Sequence, residues 1–153
     1  MGGDVSPVLT FAVGGVPQGA RRHRMALRGS RPVAYHADEH LMAEHEIATM
    51  ARSLWRGAPL DGPVRLVVTT YHRRPQSLAK TRRWWGDEVR PYVGKPDADN
   101  VAKLVMDALT RAGVWVDDTR VHELVVRRWW VAVSAEGVQG LPGTRVDVYT
   151  VPE

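Results

Sequence analysis

The sequence predicts an α+β fold: a single small domain with a mixed β-sheet and two main helices. Three observations predict it. Several β-branched runs are bounded by Gly and Pro, two stretches carry apolar residues at helical spacing, and the two kinds are interleaved without a regular βαβ alternation. With 153 residues, 44% of them hydrophobic, the chain has a core for one domain spanning 1–153.

Val8–Val13 reads as the first strand, followed by a Gly/Pro/Arg loop from Gly14 to Arg31 that is too polar to pack. From Ala37 to Trp55, Ile47, Met50, Ala51 and Leu54 recur at helical spacing, and Asp38 and Glu39 suit the positive end of that helix. Gly57 and Pro59 end it. Val64–Tyr71 is a β-branched run between Gly62-Pro63 and Arg73-Arg74-Pro75, hence a second strand. The segment from Pro75 to Pro96 has no clear period and surrounds Trp84-Trp85 and Tyr92 with Lys80, Arg82, Arg83, Arg90 and Lys95. In a basic setting such aromatics suit stacking on unpaired bases. Asn100–Arg111 is a helix with Val101, Leu104, Val105, Ala108 and Leu109 on one face and Gly113 beyond its end. A short strand at Val114–Val116 then meets Asp117-Asp118. Leu124–Val133 and Thr144–Val151 are expected to close the chain as an antiparallel pair.

Composition narrows the chemistry. There is no cysteine, which excludes disulfide scaffolds, thiolate metal sites and cysteine nucleophiles. A metal ion would have to rest on carboxylates, imidazoles or carbonyls. Val8–Val13 is too short to span a bilayer and no Lys or Arg precedes it, which points to a cytoplasmic chain without signal peptide or membrane anchor. Through Lys95 there are 15 basic and 8 acidic residues; after it there are 6 and 9, so a basic first part precedes an acidic second part. The first suits a polyanion and the second suits divalent cations. Arg21, Arg22, Arg24 and Arg28 in the first loop, and Arg82, Arg83 and Lys95 in the second, are the candidate DNA-binding cations.

The most informative stretch is Lys95-Pro96-Asp97-Ala98-Asp99-Asn100, followed by the helix with Lys103 and Asp107, then Val116-Asp117-Asp118. Pro96 keeps the segment before the helix extended, so Asp97 and Asp99, two apart, can face one way. A helix of roughly 12 residues rises about 18 Å, and the seven steps from Arg111 to Asp118 reach at most about 23 Å, so Asp118 can return to the starting end. Three carboxylates meeting there would form an oxygen-only site of the kind Mg²⁺ prefers. Lys103, one turn along, could meet negative charge developing on a phosphate. Each acid also has an ordinary explanation: Asp at a helix start is commonly an N-cap, Asp-Asp after a strand a turn, and Lys103 an ion-pair partner of Asp99 or Asp107.

Other motifs fit poorly. Val101 and Ala102 stand where an EF-hand needs a ligand and a glycine, and there is neither a phosphate-cradling glycine loop nor a G-x-S-x-G elbow. His36-Ala37-Asp38-Glu39-His40 matches H-x-x-E-H but straddles a helix start, which is wrong for zinc.

From Lys95 to Val121, K-P-D-A-D-N-V-A-K and M-D-A-L-T-R-A-G-V-W-V-D-D-T-R-V resemble the signature of the RusA family of Holliday junction resolvases. Gly15–Arg22 is loosely similar to that family's basic N-terminal loop. The resemblance implies a RusA-like fold and a homodimeric, Mg²⁺-dependent endonuclease, with Mn²⁺ as a substitute, that cuts four-way DNA junctions symmetrically in recombination, repair or phage DNA processing. It places the essential acids on Asp97, Asp99 and Asp118 and the essential lysine on Lys103. Asp107, Asp117 and Asn100 become supporting positions. Two other classes are a branched-DNA-binding protein without catalysis and a metal-dependent phosphohydrolase of small molecules. Cleavage of a junction with Mg²⁺ separates the first, and nucleotide substrates the second.

Overall fold

The computed structural model describes residues 6–21, 24–28, 31–35, 38–75, 90–132 and 139–153, with backbone alone for 24–28, 31–35 and 38. Its elements in chain order are β1 (Leu9–Gly14), β2 (Arg24–Arg28), β3 (Arg31–Tyr35), α1 (Asp38–Leu54), β4 (Val64–His72), α2 (Ala98–Ala112), a 3₁₀ turn (Asp118–Arg120), β5 (Val121–Trp130) and β6 (Gly143–Thr150). The α+β reading holds.

Four strands form one mixed sheet in the order β1-β6-β4-β5. β6 is antiparallel to both β1 and β4, whereas β5 runs parallel to β4. A parallel neighbour needs a long crossover, and α2 lies within that connection. Period 2 divides the sheet into two faces. Leu9, Phe11, Leu66, Val68, Val146 and Val148 are buried together with Ile47, Ala48 and Ala51 of α1 and with Val101, Leu104, Val105, Ala108 and Leu109 of α2. The predicted apolar face of α2 is therefore its core face. The opposite sheet face carries Arg65, Tyr71, Arg127, Trp129, Arg145 and Tyr149 around a shallow hollow.

The expected antiparallel pair of the last two strands does not exist, because β4 lies between β5 and β6. β4 is apolar or β-branched along most of its length, and Leu66, Val67, Val68, Thr69 and Thr70 are all buried. A strand covered on both faces belongs in the middle of a sheet. The expected strand at Val114–Val116 reduces to a single parallel bridge between Leu60 and Trp115. Buried Trp115 donates its indole N–H to Thr110 Oγ1 at 2.7 Å and so packs on the end of α2 instead of extending a sheet.

The loop predicted from Gly14 to Arg31 is in part regular and in part packed. β2 and β3 form an antiparallel hairpin with Arg28 opposite Arg31, and the intervening Gly29-Ser30 is a turn signal that the arginine content obscured. Before the hairpin, Pro17, Gly19 and Ala20 are buried, and the Ala20 N–H donates to the Asn100 carbonyl at 2.8 Å. A Cβ on Gly19 would lie 2.7 Å from Pro96 Cβ, so only glycine allows the loop this close to the start of α2.

α2 ends as its sequence requires. Gly113 is left-handed (φ 75°), its N–H bonds the Thr110 carbonyl, and the Val114 N–H bonds the Leu109 carbonyl, which together make a Schellman motif.

Candidate active site

α1 and α2 pack against each other in the same direction: Glu39 and Asp99 share a groove at their starts, and near their ends Arg52 donates to the Arg111 carbonyl at 3.3 Å. The groove is about 770 Å³, bounded on one side by residues 16–21 and on the other by the start of α2. It gathers Arg21, Lys95, Asp97, Asp99 and Asn100 from the sequence-predicted set, and adds Glu39.

Asp97 and Asp99 reach the groove by a different route from the one expected. The helix begins at Ala98, so Asp99 lies in its first turn and not on an extended segment. Asp97 occupies the N-cap with extended backbone (φ −67°, ψ 155°), yet its side chain makes no capping bond. An Asp at this position ordinarily accepts from a backbone N–H two or three residues on. Here Lys95 Nζ meets Asp97 Oδ2 at 2.7 Å instead, and both side chains remain well exposed. The Asp97 carboxylate is thus kept out of the helix's own hydrogen bonding and turned to the groove. The ordinary capping explanation does not apply to it.

Lys103 is exposed and pairs with Asp107 at 3.4 Å, so Lys103 and Asp107 form an i,i+4 pair on the outer side of α2. Asp117 is the cap that Asp97 is not: its Oδ1 accepts the Thr119 N–H at 2.8 Å and also the Thr119 hydroxyl. Those two bonds, the hydroxyl's foremost, hold the Asp117 carboxyl below the usual carboxylate range. Asp118 opens the 3₁₀ turn, is exposed, and is not among the residues lining the groove. Among the described residues, no three Asp, Glu or His side chains stand close enough to hold one ion. The return of Asp118 to the start of α2 therefore does not occur within one chain. The 3₁₀ turn instead feeds β5 beside the start of β4, where Arg120 pairs with Asp61 at 3.0 Å.

Of the candidate DNA-binding cations, Arg21 and Lys95 line the groove. Arg24 and Arg28 are on β2, described as backbone, and Arg22, Arg82 and Arg83 lie outside the described residues, as do Trp84-Trp85. Of the two histidines of the H-x-x-E-H match, His36 lies outside them too and His40 is buried on α1, 3.9 Å from Glu44, while Glu39 belongs to the groove.

Sequence reasoning missed the residues that hold the segment before α2. Arg128, on β5, donates to the Gly94 carbonyl at 2.8 Å and the Pro96 carbonyl at 3.0 Å. The Tyr92 hydroxyl donates to the Lys95 carbonyl, and its ring stacks on His72 with centroids 3.6 Å apart and meets the edge of Trp130. Burial, reinforced by the positive charge of Arg128, lowers the His72 pKa from 6.5 to about 4. His72 is therefore neutral near pH 7, with Nε2 at 2.9 Å from Thr70 Oγ1. Only the adjacent aromatics hinted at this cluster in the sequence.

A family model of the endodeoxyribonuclease RusA matches residues 14–148. The chain belongs to the RusA family. It is accordingly a nuclease of the family that acts on Holliday junctions, with branched DNA as the family's substrate. No curated protein matches the chain closely enough to add a relative. The matched span contains the groove, the latch formed by Arg128 and Tyr92, and the 3₁₀ turn with Asp118. No helix among the described residues is long and apolar enough to cross a membrane.

RusA-type nucleases generally use a divalent metal ion. The donors fit one: the acidic groups at the groove offer only hard oxygens, the ligand type that Mg²⁺ takes along with waters and a substrate phosphate.

Proposed function

We propose that this RusA-family chain is a Mg²⁺-dependent resolvase that, as a homodimer, makes paired symmetric cuts in four-way DNA junctions during recombination, repair or phage DNA processing. The observation that carries this reading is the groove at the start of α2, where an uncapped Asp97 and Asp99 stand beside Arg21 and Lys95. Carboxylates and cations are side by side, as hydrolysis of a phosphodiester requires. Asp97 and Asp99 would hold the ion at the groove, with Asp118 as the third acid that the family signature implies once the homodimer forms, and with Mn²⁺ able to replace Mg²⁺. When bound, the ion supplies an activated water and neutralises charge on the phosphate. Asn100 and Asp117 support the two acidic segments.

The chain's own side chains do the rest. Arg21 and Lys95 bind the phosphates flanking the scissile one, Arg by its bidentate fork and Lys as a point charge. Lys103 swings from Asp107 toward the leaving oxygen, a step its 3.4 Å exposed pair opposes only weakly. Arg22, Arg24, Arg28, Arg82 and Arg83 extend the grip along the arms. A four-way junction has two-fold symmetry, so paired cuts require two sites related by the same symmetry.

The test is cleavage of a strand-labelled four-way junction beside linear duplex of the same sequence, with Mg²⁺, Mn²⁺ or chelator. Paired cuts on the junction alone are expected, abolished by Asp99→Asn while junction binding stays equal or tightens. A fully active Asp99→Asn would overturn the assignment, and cutting of nucleotides in place of junctions would redirect it to small-molecule substrates.

A further inference from the structure

We infer that the pocket beside the groove is a base-binding subsite: a nucleobase next to the scissile phosphate leaves its stack and seats between the loop that follows β1 and the first half of α1, where Glu39 and Gln18 read its edge. This rests on the reading of the Asp97–Asp99 groove as the place where a junction strand is cut.

The pocket is about 360 Å³ and shares Val16, Pro17, Gln18 and Glu39 with the groove, so one turn of chain and one helix side chain form the wall between them. Both ends of that turn are fixed. The Gly15 N–H donates to the Pro142 carbonyl at 3.2 Å, and the Ala20 N–H donates to the Asn100 carbonyl at 2.8 Å. Gly15 has φ 108°, which a residue with a side chain rarely adopts, and this bend carries the chain off β1 and along the pocket. The wall is built before any ligand arrives, which lowers the ordering cost of binding.

The lining has the chemistry that a nucleobase requires. On α1, Glu39, Met42, Ala43 and Glu46 recur at i, i+3, i+4 and i+7 and so share one face of the helix. Ile47, Leu104 and Val105 are almost wholly buried and make an apolar floor. Val16 on the loop side is 69% exposed and Met42 on the helix side 62%, so a flat ring entering between them gains apolar contact on both faces. The polar groups are chiefly acceptors. Glu39 and Glu46 are exposed carboxylates without an ion pair among the described residues. Gln18 Nε2 donates weakly to the Val16 carbonyl at 3.4 Å, which leaves Oε1 to accept. Carboxylates repel a phosphate and accept from N–H groups, so the ligand that fits has an apolar planar body, N–H donors on its edge and no negative charge there. A base with an exocyclic amine has all three. Thymine carries a carbonyl oxygen in place of the amine and would set acceptor against acceptor.

Glu39 is available for this task. Among the described residues no three acids stand close enough to hold one ion, so Glu39 does not join Asp97 and Asp99 in that work. A strand whose phosphate lies at Arg21, Lys95, Asp97 and Asp99 brings its adjoining base to the wall that the two cavities share. Extruding a base costs least where stacking is already interrupted, as it is where four arms meet. Once seated, the base fixes the adjoining phosphate against the acids, and positioning of this kind governs both the rate and the choice of cut. A basic, apolar peptide has matching chemistry, but the shared wall favours the nucleic acid.

The test follows single bases in a four-way junction. Aminopurine, a fluorescent adenine analogue that carries an amine and brightens on leaving the stack, replaces each base flanking the cut in turn. On the full-length Asp99→Asn protein, which is expected to hold the junction uncut, one position should brighten several-fold. Adding Ala43→Leu, which fills the pocket from α1, should return that base to the level of the free junction. Ala43 also packs against the core, so a second variant uses exposed positions. Val16→Ala with Met42→Ala strips both walls, should leave the melting temperature unchanged and should dim the same base. In cleavage, the wild type should prefer an amine-bearing base over thymine at that position by roughly tenfold. Glu39→Gln, whose amide both donates and accepts, should erase most of that preference. Absence of brightening at every position, brightening that survives both pocket variants, or equal cutting of junctions that differ only at that base overturns the inference. Pocket variants that cut as the wild type does but lose binding of an arginine-rich apolar peptide assign the pocket to a protein partner and overturn it too. Each of these failures leaves Mg²⁺-dependent junction cutting intact, whereas a wild type that cuts no junction overturns the resolvase reading and the inference with it.

Discussion

Among the described residues two aspartates, Asp97 and Asp117, occupy N-cap positions, and they are used in opposite ways. At the start of α2, Asp97 makes no capping bond and turns its carboxylate to Lys95 and the groove. At the 3₁₀ turn that follows α2, Asp117 accepts from both the backbone and the hydroxyl of Thr119. The same residue type at the same kind of position is reserved for chemistry in one place and spent on structure in the other. Asp117 Oδ1 is taken by two donors of its own turn, whereas Asp97 is engaged only through Oδ2 by an exposed lysine, a pair that solvent weakens and a cation can displace.

The largest effect should come from the uncapped side. Asp97→Ala is expected to lower junction cleavage on the order of 10³-fold, the loss of several kcal/mol of transition-state stabilisation. Its melting temperature should hardly move, because no helix bond is lost. Thermal unfolding alongside single-turnover cleavage checks both halves; a large fall in Tm would show that Asp97 is a structural cap after all.

Next come the residues that hold the uncapped side in place. Arg128→Ala removes the two bonds to Gly94 and Pro96, and a shift of the segment by about 1 Å should cost roughly 10²-fold in cleavage. Junction affinity should fall much less. The split between rate and binding distinguishes positioning from a direct grip on phosphate. His72 belongs to the same cluster and gives it a pH signature. Its folded pKa of about 4 lies below the ordinary 6.5, so between those values the unfolded chain binds more protons. Stability must then rise with pH across that window and fall as the solution is acidified from 6.5 to about 4. His72→Phe should flatten this limb of a stability–pH profile, and an unchanged limb would show that His72 is not buried neutral.

Much of this was legible in the sequence. The apolar face of α2, its Gly113 terminus and the β-branched run of β4 were read correctly because each is a local pattern. The errors were non-local. β5 and β6 each look like one half of a hairpin, and only the burial of β4 on both faces shows that it separates them. Glu39 reaches the groove because two helices pack in the same direction, which no local spacing encodes. Asp97, Asp99 and Asp118 stand out together in the sequence, but chain length sets only an upper limit on where Asp118 can go. The parallel strand that follows it takes it away from the groove.

The smallest effect tests the capped side. In Asp117→Ala the Thr119 N–H and hydroxyl both lose their acceptor, so the 3₁₀ turn loosens and the melting temperature falls by more than in Asp97→Ala. The same bonds make the contribution of Asp117 pH-dependent. Its folded pKa lies below the ordinary 3.8, so the stabilisation is fully present above that value and is lost as the pH drops through the folded one. Wild type and Asp117→Asn should therefore differ most near neutrality and converge in acid. Because Asp117 adjoins Asp118, a loosened turn should also blur the position of Asp118. Cleavage by Asp117→Ala is expected to weaken without vanishing and to recover partly as Mg²⁺ is raised, since a displaced ligand is remedied by mass action. Asp97→Ala has lost the ligand itself, so the same titration should leave most of its defect in place.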